Sequence, residues 1–266
     1  MVYNVTTTKI FDIPPYFFFY VVGVVFASSL FIILLLKYNY DIPRYTKIFF
    51  LSAAGLLISA RLFGFLTGLY TALANKEAIT LNTFLNTGIV YYGGLIGFIL
   101  SFLLICKIWN KKIDYGVVDI TAVCIPLFLF FGRLGCFSAG CCYGIESNSV
   151  FSVLYTNRIG GEVVTAARFP SQLVESALSM VTFFVLMALL LKQKFRGHLV
   201  VVYLLIYATM RVILEFFRGD FARGVWSGVS FSQIVSIIIL IYCVFSIIKN
   251  TTLQKFNNTV KELEKE

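Results

Sequence analysis

A succession of apolar runs, each long enough to cross a bilayer, constrains this 266-residue chain more than any other feature. At 1.5 Å of rise per residue, about 20 residues of helix span the hydrocarbon core. Seven such stretches are readable, near 16–36, 48–73, 85–106, 116–134, 170–191, 199–217 and 229–248. Charged residues make up 13% of the chain and hydrophobic ones 59%. A water-facing surface needs about a quarter to a third of charged residues. A cytosolic enzyme, a disordered chain and a secreted disulfide scaffold are thereby excluded. In lipid, backbone polar groups are satisfied internally, which favours helices. The expectation is an all-α membrane protein, one transmembrane domain over residues 1–266.

The net charge of +9 reads as topology. Alternate connections carry Lys37, Arg44 and Lys47, then Lys107, Lys111 and Lys112, then Lys192, Lys194 and Arg196, and finally the tail Lys249, Lys255, Lys261 and Lys265. The other side has Lys9, Lys76, Arg158, Arg168, Arg218 and Arg223. Thirteen basic residues against six is a positive-inside bias, with the N-terminus outside and the C-terminus cytoplasmic. No basic stripe carries interleaved aromatics, so nucleic acid is not an expected partner. The first run lacks a basic leader apart from Lys9 and is longer than a signal-peptide core, so it is kept as a span. Residues 135–169 form the longest polar interruption, expected as a small extracytoplasmic loop or head. Residues 249–266 are expected as a cytoplasmic tail, a solvated helix of mixed Lys and Glu.

Three arginines fall within or at the ends of apolar runs: Arg61, Arg133 and Arg211. Each costs about 2.5–3.5 kcal/mol in lipid, so a function or a partner is expected. Tyr207, Arg211, Glu215 and Arg218 follow at i, i+4, i+8 and i+11, within about 80° of one helix face. Glu215 is expected to pair with Arg211 or Arg218. The stripe is either an ion-pair ladder that holds the bundle or a phosphate site, since guanidinium matches phosphate oxygens. The segment from Phe131 to Gly144 contains Gly132, Gly135, Gly140 and Gly144, which permit a tight, irregular backbone beside Arg133. Gly93 and Gly97 form a small-xxx-small pair, Gln172 and Glu175 share a face after Pro170, and Asp119 and Gln233 are further buried-polar candidates.

Cys106, Cys124 and Cys243 are expected as small core residues. Cys136, Cys141 and Cys142 cluster beside Arg133, and three readings stay open: a structural or disulfide role, a reactive thiol, and a metal site. The spacing C-x4-C-C is not a recognised zinc pattern and no histidine is near. The only histidine, His198, falls at a cytoplasmic loop end, so neither a histidine base nor a histidine-ligated metal is expected.

These motifs together resemble the prolipoprotein diacylglyceryl transferases, seven-span bacterial membrane enzymes. Tyr16 with Tyr20-Val21-Val22-Gly23 looks like the family's first-span motif, and Ser59-Ala60-Arg61-Leu62 its second-span arginine segment. Gly93-Gly94-Leu95-Ile96-Gly97 matches the third-span motif after its histidine. Gly132-Arg133-Leu134-Gly135 with Gly140 and Gly144 is similar to the signature loop. Pro170-Ser171-Gln172-Leu173 with Glu175, the Tyr207-to-Arg218 set, and Ser230, Gln233 and Ser236 complete the resemblance. It implies transfer of a diacylglyceryl group from phosphatidylglycerol, or a related anionic phospholipid, to the lipobox cysteine of a prolipoprotein in the bacterial inner membrane. It implies that Arg133 and Arg211 hold the lipid phosphate and stabilise the leaving group, that Glu215 orients Arg211 and Arg218, and that Tyr16 and Tyr207 line the site. Tyr92, Cys136 and Cys141 are further catalytic candidates. Arg61, Gly93, Gly94, Gly144, Gln172 and Arg218 are substrate-binding candidates. Neither a cofactor nor a metal is expected.

The sequence departs from the family at four places. Tyr92 replaces the histidine before Gly-Gly, Cys136 the signature-loop asparagine, Cys141 its glutamate, and Phe169 the histidine before Pro-Ser-Gln. The anion-binding half is kept and the acceptor side is changed. Alternative readings are a paralogue with another acceptor, a phospholipid-binding or transport protein without chemistry, and a thiol redox or metal protein.

Overall fold

The computed structural model describes residues 4–5, 15–74, 91–109, 114–159, 162–219, 225–226 and 229–263. Where the apolar runs lie in these residues, they are helical: α1 (Pro15–Lys37), α2 (Ile42–Ala74), α3 (Tyr91–Ile108), α4 (Tyr115–Ser138), α5 (Ser171–Leu191), α6 (Leu199–Glu215) and α7 (Phe231–Leu263). The segments Pro15–Lys37, Ile42–Tyr70, Tyr115–Ser138 and Ser171–Leu191 are long and apolar enough to cross a membrane. Tyr92–Ile108 and Ser232–Ile248 are shorter apolar helical stretches. The start of the third expected span, 85–90, and Lys9, Lys76, Lys111, Lys112, Arg223 and Lys265 lie outside the described residues.

The burial pattern is inverted relative to a water-soluble bundle. On α5 the buried face runs from Ser171, Gln172, Glu175, Ser176, Ser179 and Thr182 to Leu186 and Leu190, whereas Val181, Phe184 and Val185 face outward. Elsewhere Ile58 is 71% and Ile241 65% exposed. At about 25 cal/mol per Å² such faces are costly in water; a bilayer is the solvent they fit. Inward polar groups bond across the bundle, as where the Ser176 hydroxyl donates to the Phe130 carbonyl of α4 at 3.1 Å.

Helix α1 packs chiefly on α4, α2 on α3, α4 on α5, and α6 on α7. At the α2–α3 crossing, Gly93 lies against Phe63 and Gly94 against Ala60, while a Cβ on Gly97 would come within 2.7 Å of the Gly55 carbonyl. Gly97 therefore serves the close approach expected of the small-residue pair. Cys106, Cys124 and Cys243 are buried, as expected of core residues.

The polar interruption is not all loop. Strands β2 (Val153–Ile159) and β3 (Glu162–Arg168) form an antiparallel hairpin, from Val153 opposite Arg168 to Ile159 opposite Glu162. Strand β1 (Asn4–Val5) adds in parallel to Leu154 and Tyr155, which places the N-terminus beside the hairpin. Two short strands, β4 (Val225–Trp226) and β5 (Val229–Ser230), pair before α7. The all-α expectation thus holds for the bundle and not for this end of the molecule. The β-branched and aromatic residues Val153, Tyr155, Thr156, Ile159, Val163, Val164 and Thr165 carry the strand signal.

Two further expectations change. Gly132 and Gly135 lie within α4, so irregular backbone begins only after Ser138. Helix α6 ends at Glu215, so Arg218 is not part of its stripe. Gly144 and Arg218 instead form an antiparallel bridge. Its clasp is built of backbone bonds: Gly144 N–H donates to Phe169 O at 2.8 Å, Phe169 N–H to Ile145 O at 3.0 Å, and Ile145 N–H to Phe217 O at 3.0 Å. A Cβ on Gly144 would sit 2.5 Å from Phe217 O and 2.7 Å from Phe169 O, which is why glycine stands there. The clasp ties the exit of α4, the entry of α5 and the exit of α6.

At the opposite end, buried Asp119 of α4 accepts backbone N–H groups from Gly197 at 2.5 Å and Leu199 at 2.9 Å, capping α6. Asp119→Ala leaves both donors unpaired and is expected to destabilise the bundle by about 2 kcal/mol or more. Thermal unfolding in detergent, with a lowered midpoint, checks it.

Candidate active site

The arginines expected to be functional meet in one buried ion chain. Arg133 Nη2 lies 2.7 Å from Glu175 Oε1, Glu175 Oε2 lies 3.8 Å from Arg211 Nη1, and Arg211 Nη2 lies 2.6 Å from Glu215 Oε2. Their side chains are 3–9% exposed. Arg133 comes from the last turns of α4, Glu175 from the start of α5, and Arg211 and Glu215 from the end of α6. Both arginines sit near helix C-termini, where the dipole favours a cation. The expected pairing of Glu215 with Arg211 is present. Glu175, read in sequence only as a helix-face polar residue, is the bridge between the two arginines. Its sequence signal is a carboxylate within an apolar run, three residues after Gln172.

Two guanidinium and two carboxylate charges cancel within this chain, and Arg218 lies within electrostatic reach of Arg211. Donor capacity is left over. Arg133 Nε has no hydrogen-bond partner among the described residues, and Arg211 Nη1 has only the long contact to Glu175. Such groups suit an incoming polyoxygen anion.

Aromatic phenols surround the chain. Tyr92, at the start of α3, hydrogen-bonds Ser236 of α7 and packs edge-on to Tyr207 with ring centroids 5.9 Å apart. Tyr207 stacks on Tyr203. Tyr16, at the start of α1, is within electrostatic reach of Arg133 and of Cys136, Cys141 and Cys142. Arg61 is half-buried on α2. Gln233 caps α7, accepting from the Ser230 N–H at 2.9 Å. His198 lies at the start of α6, at the bundle's other end, in a cavity of about 710 Å³ with Arg44 and Arg196.

The cysteine loop closes over the same end. Gly140 and Cys142 both have left-handed backbones, with φ of 65° and 61°; the non-glycine case is uncommon. Cys141 N–H donates to Cys136 O at 3.1 Å. Gln172 Nε2 donates to Cys141 O at 2.6 Å and Ser171 Oγ to Cys142 O at 3.0 Å. Gln172 also accepts from the Tyr155 hydroxyl of β2 at 3.2 Å, and burial pushes that phenol up to about 12. Gln172 therefore positions the loop. All six cysteines are free thiols. The Cys141 thiol is raised above its ordinary value, first by its hydrogen bonds with Cys136 and Cys142 and then by burial. Just beyond the loop, the Arg168 guanidinium lies over the Tyr143 ring and pairs with Glu146 at 2.8 Å.

Residues 4–249 match the family model for prolipoprotein diacylglyceryl transferase. The chain belongs to that family. It is similar to the phosphatidylglycerol–prolipoprotein diacylglyceryl transferase of Campylobacter hominis, 35% identical over 178 residues, 64% of this chain and 61% of that relative. The Clostridium tetani enzyme of the same name is 35% identical over 60% of this chain and 64% of its own length. That of Campylobacter jejuni (strain 81-176) is 35% identical over 58% and 55%. The chain thus spans less than two thirds of the length of the curated relatives it matches. The ion chain, the clasp and the cysteine loop all fall within the part that matches the family.

Glu175→Ala leaves the buried Arg133 without its carboxylate and Arg211 with Glu215 alone. The expected cost is about 3–5 kcal/mol, as for a broken buried pair. Denaturant or thermal unfolding reads this, and Glu175→Asp should recover part of the loss.

Proposed function

We propose that this transferase-family chain moves a diacylglyceryl group from phosphatidylglycerol, or a related anionic phospholipid, to the lipobox cysteine of a prolipoprotein. The observation that carries the reading is the pair of buried arginines joined through Glu175, each with donor capacity to spare. A phosphate entering between them gains charge-assisted bonds in a low-dielectric setting, where developing negative charge on the leaving group is stabilised most. The acceptor thiol attacks the glyceryl carbon, an S–C bond forms, and the C–O bond to phosphate breaks. Glycerol phosphate leaves with the thiol's proton. Arg133 and Arg211 are assigned to the phosphate, and Glu215 orients Arg211. Arg218, Tyr16, Tyr92, Tyr207, Arg61, Gly93 and Gly94 are assigned to the lining. Gln172 and Gly144 shape the loop beside it, and Cys136 and Cys141 face the acceptor side.

The same reading takes the chain as one seven-span domain in the bacterial cytoplasmic membrane, N-terminus outside. The positive-inside bias supports this, as does a hairpin that shares its end of the bundle with β1. A second reading, phospholipid binding without turnover, draws on Tyr92. A phenol of ordinary pKa about 10 is a poor general base at neutral pH.

Lipid mass spectrometry on phosphatidylglycerol with a lipobox peptide, and with amine and hydroxyl acceptors, separates these readings. Product is expected on the thiol peptide; bound but unchanged lipid with every acceptor overturns transfer. Arg133→Ala and Arg211→Ala are each expected to cut turnover at least about 100-fold, as for loss of an oxyanion donor. Undiminished product from both sinks the phosphate assignment.

A further inference from the structure

Cys136, Cys141 and Cys142 place their three sulfur atoms within 4.8 Å of one another. Among the described residues no other grouping of His, Cys, Asp and Glu could hold a metal ion. The spacing C-x4-C-C conceals this in sequence. The arrangement arises because Cys136 lies in the last turn of α4 and two left-handed residues, Gly140 and Cys142, turn the chain back over it. The turn is held from outside by Gln172 and Ser171, which bond the carbonyls of Cys141 and Cys142. In a tetrahedral zinc site with Zn–S bonds of about 2.3 Å, sulfur atoms lie about 3.8 Å apart. The three sulfurs thus need to close by about 1 Å at most to share one ion.

We propose that Cys136, Cys141 and Cys142 form a three-thiolate zinc site whose open fourth position binds and deprotonates the acceptor thiol. Three soft sulfur donors select a thiophilic d10 ion over magnesium or calcium. Three protein ligands with one open position are the pattern of a reactive zinc centre, whereas structural sites are closed by four. Coordination strips the proton from a thiol outright. Cys141 and Cys142 are partly exposed, which leaves the cluster reachable. Zinc with three thiolates carries one negative charge, and the Arg133 guanidinium lies within electrostatic reach of Cys136 and Cys142. The proposal rests on the transfer reading for its acceptor. The acceptor's proton is released to water when its sulfur binds the ion; that sulfur then bonds the glyceryl carbon, its bond to zinc and the C–O bond to phosphate break, and glycerol phosphate leaves as an anion that takes a proton back from water. No electron changes hands.

The test uses the full chain in detergent, reduced, stripped with chelator and titrated with Zn(II), or with Co(II) as the spectroscopic probe. One equivalent per chain is expected, with thiolate-to-cobalt charge-transfer absorption. Each single Cys→Ser variant should bind at least about 100-fold more weakly, beyond what losing a mere supporting group costs, and the triple variant should not bind. A lipobox cysteine peptide should shift the cobalt bands and its serine analogue should not. Cobalt bound equally by the triple variant, a spectrum without thiolate ligation, or no response to the cysteine peptide overturns the proposal; the last needs no mutant to fold. Full transfer by metal-stripped protein overturns it while leaving the transfer reading intact. A peptide-responsive metal site with no product from phosphatidylglycerol supports the site and overturns the transfer reading.

Discussion

The rest of the structure depends on the buried chain Arg133–Glu175–Arg211–Glu215. Each of its members would be prohibitive alone in a low-dielectric bundle, because desolvating an ion costs several kcal/mol. Together they are tolerable only if three helix ends meet within ion-pairing distance. Helices α4, α5 and α6 cannot slide or rotate without stranding a charge. The clasp through Gly144 and Arg218 and the Asp119 cap at the far end serve this requirement by fixing where those helices stop.

Stability and function draw on the same groups. An ion chain that fully satisfied itself would only brace the bundle. This one is neutral but incompletely bonded, with a 3.8 Å contact at its centre and, at one end, an Arg133 Nε that has no hydrogen-bond partner among the described residues. The cysteine loop sits on the same frame, since Gln172 and Ser171, which hold its carbonyls, precede Glu175 on α5. The ion chain and the cysteine loop are therefore held by one helix start.

Much of this was legible from residue order. Arg133 and Arg211 stood out because charge is rare in lipid-compatible runs, and Glu215 paired as an i+4 neighbour should. Arg218 was placed on the wrong element, since helical spacing alone does not show where α6 frays into a turn. Glu175 was visible as a polar residue, but its partners come from helices 42 and 36 residues away in sequence, beyond any periodicity rule. The hairpin of β2 and β3 falls in a segment that residue order marks only as a polar interruption between apolar runs.

The sequence by itself determined that the chain is helical and suited to a bilayer, which charges lie inside it, and which family motifs it carries. Those are matters of hydropathy, period and residue identity, all local. The tertiary structure decided that Glu175 bridges two arginines, that Arg218 belongs to a clasp, and that three cysteines converge. Each of these depends on the relative placement of helix ends and on left-handed turns at Gly140 and Cys142, and no local pattern encodes a distance across the bundle.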